Sequence, residues 1–97
     1  MPVVMFMEWD GVTRQQYEAV CEVVDFERKV PAGGLFHVAA ADERGLRITD
    51  VWESAEAFQK FVADRLMPGV QKVGIRSEPK VTILPALKVF TPGYTPK

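Results

Sequence analysis

His37 is the only imidazole in the chain, and histidine is the side chain whose ordinary pKa lies nearest neutrality, so proton transfer is weighed there first. It falls in an apolar run, residues 35–41, that reads as a strand. A second such run covers residues 46–52. Asp42-Glu43-Arg44-Gly45 lies between them as a four-residue hairpin loop, with Gly45 suited to a positive φ. That closure sets Ala41 opposite Leu46 and His37 opposite Asp50. Opposed residues share a sheet face, so a histidine–carboxylate pair follows, with Asp50 fixing the tautomer of an oriented general base. A one-residue slip would put the two on opposite faces. The competing reading is a histidine hydrogen-bonded within its strand, with no part in chemistry.

Other residues offer less. Trp52 ends the second run just before Ser54 and is suited either to stacking on an aromatic ligand or to wedging helix against sheet. Trp9 invites the same two readings. Tyr17 falls on the apolar stripe of the first helix, where its phenol either meets a ligand oxygen or reaches the rim of the core. Arg47 and Arg76 offer isolated positive charge to an anionic ligand. Cys21 lies on a buried stripe beside Glu18 and Glu22, which disfavour a thiolate, so it reads as a small core residue. One cysteine and one histidine are too few ligands for a transition metal, and no carboxylates have metal-binding spacing. Gly33-Gly34 precedes a strand and not a helix, which is wrong for a phosphate loop.

These residues are positioned by six elements. Residues 3–9 read as a strand, apolar in both parities (Val3, Met5 and Met7 alternating with Val4 and Phe6) and hence expected to be buried on both faces. Met5 and Met7 also suit an adaptable cavity lining. Thr13 and Gln16 form a capping box, and Tyr17, Val20, Cys21 and Val24 trace one stripe of a helix expected to end near Phe26 or Glu27. After the hairpin, Ser54 caps a second helix with Phe58, Phe61, Val62 and Leu66 on its stripe. Pro68 is suited to start a further short helix ending at Gly74. Residues 81–90 read as the last strand, with Pro85 placed at an edge, at a bulge or where the strand leaves one sheet for another.

Strand, helix, strand, strand, helix, strand is the split βαβ order. It predicts an α+β, ferredoxin-like βαββαβ fold, a four-stranded antiparallel sheet with two helices on one face. Two helices cannot cover the apolar residues of both parities. The bare sheet face is therefore expected to pair with a second copy of the chain about a two-fold axis.

Composition excludes several function classes. Twelve basic and thirteen acidic residues give a net charge of −1, without a basic footprint for nucleic acid or anionic lipid. A lone cysteine forms no intrachain disulfide, and residues 1–7 lack the basic start of a signal peptide. No run reaches the length of a membrane span, so the expected location is the cytoplasm.

The element order, Phe36-His37-Val38, the Asp50-Val51-Trp52-Glu53-Ser54 junction and the Phe58/Phe61 stripe resemble the dimeric α/β-barrel superfamily, and within it the antibiotic biosynthesis monooxygenase-like proteins. The resemblance implies a homodimer whose two sheets form a barrel, with a cleft in each subunit between sheet and helices. It implies cofactor-independent oxygenases of aromatics or quinols, heme-degrading enzymes, small-molecule isomerases or decarboxylases, and members without activity. The oxygenase and heme-degrading branches lean on an asparagine, and this chain contains none. The heme branch also uses a helix or loop histidine, whereas His37 is on a strand, so heme binding is not carried over.

The expectation is thus one domain over residues 1–90 and a proline-rich tail over 91–97, with Tyr94 suited to docking in an apolar groove. It binds a small apolar molecule and needs no cofactor or metal. If it is an enzyme, His37 is base or anchor, Asp50 its orienter, and Trp52 and Tyr17 belong to the pocket. The alternative is a non-catalytic binding or structural module of the same fold.

Overall fold

A computed structural model describes residues 1–93. Its elements are β1 (Val3–Asp10), α1 (Arg14–Val24), β2 (Gly34–Asp42), β3 (Gly45–Trp52), α2 (Ala55–Phe61), a π-helical turn (Val62–Leu66), α3 (Met67–Val73) and β4 (Lys80–Pro85). The strands form one antiparallel sheet in the order β2-β3-β1-β4. This is the ferredoxin-like arrangement, with the helices packed on one face.

The hairpin fixes the register on which the site depends. Ala41 pairs with Leu46 and His37 with Asp50, as the loop length implies. The turn is tighter than four free residues, because Asp42 and Gly45 themselves pair. Asp42 Oδ1 accepts from the N–H groups of Arg44 and Gly45 at 2.8 and 3.1 Å. Gly45 sits at φ 150°, and a Cβ there would lie 2.4 Å from the Trp9 carbonyl oxygen. Neither the backbone angle nor the space admits a side chain.

Thr13 caps α1 through the expected capping box. The helix stops at Val24, the last residue of its stripe, two or three residues before the expected end near Phe26 or Glu27. Asp25 turns left-handed at φ 56°, and its N–H closes on the Cys21 carbonyl. Phe26 is thereby released toward the sheet. Ser54 caps α2 as expected.

Pro68 falls in the first turn of α3, as its fixed φ suits, but no break separates α3 from α2. Residues 55–73 run on as helix, and the Met67 N–H reaches the Val62 carbonyl five residues back. A proline ring clashes with the carbonyl four residues before it and leaves that carbonyl without a donor. The widened π turn relieves that conflict without ending the helix. Gly74 terminates α3 at φ 93°.

The last strand ends at Pro85, not at Phe90. β4 is an edge strand, where a proline's missing N–H costs least. Residues 86–93 continue without regular structure, with Leu87 fully exposed and Phe90 largely so. The Tyr94 reading lies outside the described residues.

The core sits between the helices and one sheet face. Met5, Met7 and Trp9 of β1 meet Leu46, Ile48 and Trp52 of β3, Val20 and Val24 of α1, Phe58 of α2 and Val70 of α3. The close approach of α1 and α3 needs Gly69, where a Cβ would lie 2.7 Å from Val24. The expectation that β1 is buried on both faces does not hold within one chain. Met5 and Met7 are buried, whereas Phe6 between them is 43% exposed.

Candidate ligand cavity and its histidine

A cavity of about 230 Å³ lies between the sheet and the helices. Its floor is Met5, Met7 and Ile48, and its walls include Trp52, Phe58 and Phe61. Val30 and Leu35, both exposed, mark its rim. His37 and Asp50 are the ionisable side chains in the lining, which contains no cation among the described residues.

Antiparallel pairing explains why these groups meet. Met5 pairs with Asp50, and Asp50 with His37, so all three side chains project from the helix-covered face. Asp50 is 6% exposed, and both its carboxylate oxygens are engaged. Oδ1 lies 2.6 Å from His37 Nδ1, and Oδ2 accepts from Trp52 Nε1 at 3.1 Å. Such pairing is what permits a carboxylate at this depth. With Nδ1–H pointed at the carboxylate, the neutral ring presents a lone pair at Nε2. The Tyr17 hydroxyl donates to that nitrogen across 2.7 Å. Trp52, Asp50, His37 and Tyr17 thus form one hydrogen-bonded chain.

Aromatic rings hold the imidazole in place. Tyr17 meets it end-on through the hydroxyl, with the ring centres 6.2 Å apart and the planes within 10°, and Phe26 leans on it at 5.0 Å. Burial pushes the Tyr17 phenol pKa up, and the neighbouring Cys21 pushes the same way. The phenol therefore acts as a donor and not as a base. Burial also pushes the Cys21 thiol up, with Glu27 and Glu18 adding to the effect, so this cysteine is not an activated nucleophile.

Of the four site residues expected from the sequence, His37, Asp50 and Trp52 line the cavity. Tyr17 joins the same hydrogen-bonded chain from α1 but lies outside the lining. Trp9 donates to the Ser77 carbonyl and hydroxyl, and so pins the segment before β4. Arg47 is not available to an anionic ligand: it is tied to Asp10 and Asp42. Arg76 is exposed, away from the cavity. Phe26 escaped notice, since only the early left-handed stop at Asp25 brings its ring to the histidine. Arg65 also escaped notice. It donates to the Val24 carbonyl at 2.8 Å, filling an open acceptor at the end of α1, and lies 5.4 Å over the Phe61 ring. No group of three or more metal-ligating side chains occurs among the described residues.

Comparison of the whole fold with solved structures gives matches along nearly the full chain. Rv0793 from Mycobacterium tuberculosis superposes with a TM-score of 0.70 at 14% identity, covering 94% of this chain and 100% of that one. SnoaB, a cofactor-independent oxygenase from Streptomyces nogalater, matches at 0.64 and 13% identity, over 91% and 94% of the two chains. The monooxygenase from the gene ActVA-Orf6 of Streptomyces coelicolor, solved in complex with Nanaomycin D, matches at 0.59 and 20%, over 94% and 91%. The chain has the fold of the monooxygenase-like proteins. At these identities the likeness establishes fold and not activity. No family model and no curated protein sequence matches the chain. No helix among the described residues is long and apolar enough to cross a membrane.

Proposed function

We propose that the protein is a homodimer that binds a small, neutral aromatic molecule between sheet and helices, and that it oxidises that molecule without a cofactor. The observation that carries this reading is an apolar cavity whose ionisable lining groups are a histidine and the buried carboxylate that orients it. An apolar cavity of roughly 150 Å³ accommodates benzene, so about 230 Å³ suits a two-ring compound. A hydroxyl group on the ligand would find its partner in His37, and Trp52 would be the stacking wall. The oxygenases of the same fold support the chemistry as an analogy.

In this reading His37 accepts the hydroxyl proton while Asp50 stabilises the resulting imidazolium. The electron-rich anion reacts with O₂ at a ring carbon. A C–O bond forms, the O–O bond breaks, one oxygen stays as a carbonyl, and the other leaves as water with the ring hydrogen and the abstracted proton. Hydroxyarene and O₂ give quinone and water, and the substrate supplies all four electrons.

The test is oxygen uptake with 1-naphthol in chelator-treated protein, alongside thermal stabilisation by the same compound. Uptake that collapses in His37→Gln supports the enzyme. Stabilisation without uptake in the native protein favours the non-catalytic binding module, for which the absent asparagine speaks. Failure of both rejects the reading.

The dimer belongs to the same proposal. Val4, Phe6, Val38, Val51 and Leu84 share the face opposite the helices, and Phe6, Val38 and Leu84 are each at least two-fifths exposed. A second copy laid sheet to sheet would cover them. Sedimentation at micromolar concentration should give twice the chain mass; a stable single subunit would reject the pairing.

A further inference from the structure

We propose that Tyr17 is a positioning residue that locks His37, and that a hydroxylated ligand must displace its phenol to reach the imidazole. The inference rests on the cavity reading above and adds a competitor to it. Both ring nitrogens are already engaged, Nδ1 by Asp50 and Nε2 by Tyr17. A base with no free lone pair cannot accept a proton, so one of the two bonds must open before His37 meets a ligand hydroxyl.

The two bonds differ in how readily they yield. Asp50 is buried and held by Trp52 as well, so withdrawing it strands a carboxylate in an apolar wall. The His37 side chain is 32% exposed, and its bond to Tyr17 lies on the exposed side. A phenol released there finds water. Nor can Tyr17 stand in for the base: burial disfavours its anion, and it lies outside the cavity lining. Its part is to satisfy Nε2, and thereby keep the ring in its Nδ1–H tautomer, while no ligand is bound. A ligand hydroxyl replaces that donor like for like. A ligand without a hydroxyl offers nothing in exchange and leaves the lock closed.

The test compares dissociation constants of 1-naphthol and naphthalene in native protein, Tyr17→Phe and His37→Gln. The phenylalanine keeps the aromatic ring in its place on α1 and removes only the competing hydroxyl. Tyr17→Phe should tighten 1-naphthol by about three- to tenfold, the worth of one net hydrogen bond, and leave naphthalene unchanged. Because His37 is the chain's single histidine, ¹⁵N-histidine labelling reports on this ring alone. Tyr17→Phe should move the Nε2 resonance and leave Nδ1 in place. Equal or weaker 1-naphthol binding in Tyr17→Phe, or an unmoved Nε2 resonance, overturns the lock while leaving the cavity reading intact. If His37→Gln binds 1-naphthol as tightly as the native protein does, the histidine is not the hydroxyl's partner and both readings fall.

Discussion

The two faces of the sheet are written in the same strands, residue by residue in alternation, and they meet opposite fates. Met5, Met7, Ile48 and Trp52 point to the helices and are buried, with Asp50 among them. Val4, Phe6, Val38 and Leu84 point the other way, where no element among residues 1–93 supplies a comparable cover. Hydrophobicity alone does not separate the faces, since both are apolar over this stretch. What separates them is polar chemistry. The helix-covered face spends its one buried carboxylate on a histidine and a tryptophan. The open face puts its charges, Glu8, Arg47 and Lys80, together at one end of the sheet. An apolar face with a single oriented polar group fits a ligand; one with a polar margin fits a protein surface.

Substitutions can break or sharpen this contrast. The largest effect is expected on the covered face. Trp52→Ala removes a ring packed on Phe58 and Phe61 and strips a donor from buried Asp50, and should cost about 3–5 kcal/mol in urea unfolding. Next comes the hinge that assigns each residue its face. Gly45→Ala forces a side chain against the Trp9 carbonyl and should cost roughly 2–3 kcal/mol. Its milder sign would be altered chemical shifts along both β2 and β3, from a register under strain.

On the open face, Phe6→Glu should change the stability of a lone subunit by no more than about 0.5 kcal/mol. It should nonetheless abolish the concentration dependence of Tm that pairing of copies predicts. A Tm that never depended on concentration in the native protein would remove the proposed partner from that face.

The smallest effect concerns Asp42. Its backbone hydrogen bond from Arg44, then that from Gly45 and the nearby Arg47 and Arg44 charges, hold its carboxyl below the usual carboxylate range. A folded-state pKa below the unfolded one stabilises the fold above the unfolded pKa, and that contribution is lost as pH falls through the folded one. Asp42→Asn should therefore lower Tm slightly at pH 7, and the gap to the native protein should close below about pH 4.

Much of this was legible in the chain, because it depends on local spacing. The capping box at Thr13, the Ser54 cap and the hairpin that sets His37 against Asp50 all follow from residues close together in sequence. Tyr17 meeting His37 did not, since twenty residues and the docking of a helix on the sheet separate them. The burial of β1 is only half decided within one chain, because apolar residues in both parities say that both faces shun water, not what covers each. Pro68 in the first turn of α3 and Pro85 on an edge strand follow from proline's own chemistry; the π turn that joins α3 to α2, and the end of the strand at Pro85, rest on neighbours that a local pattern does not contain. Chemistry was less legible than fold: a histidine–carboxylate pair is visible, but the cavity beside it is made by seven elements and loops at once.

The most direct measurement is which face a ligand touches. Intermolecular NOEs from the ring protons of 1-naphthol should reach the Met5 and Met7 methyl groups and the Trp52 indole. NOEs confined to Val4, Val38 and Leu84, with Met5, Met7 and Trp52 silent, would put the ligand on the wrong side of the sheet and contradict the account.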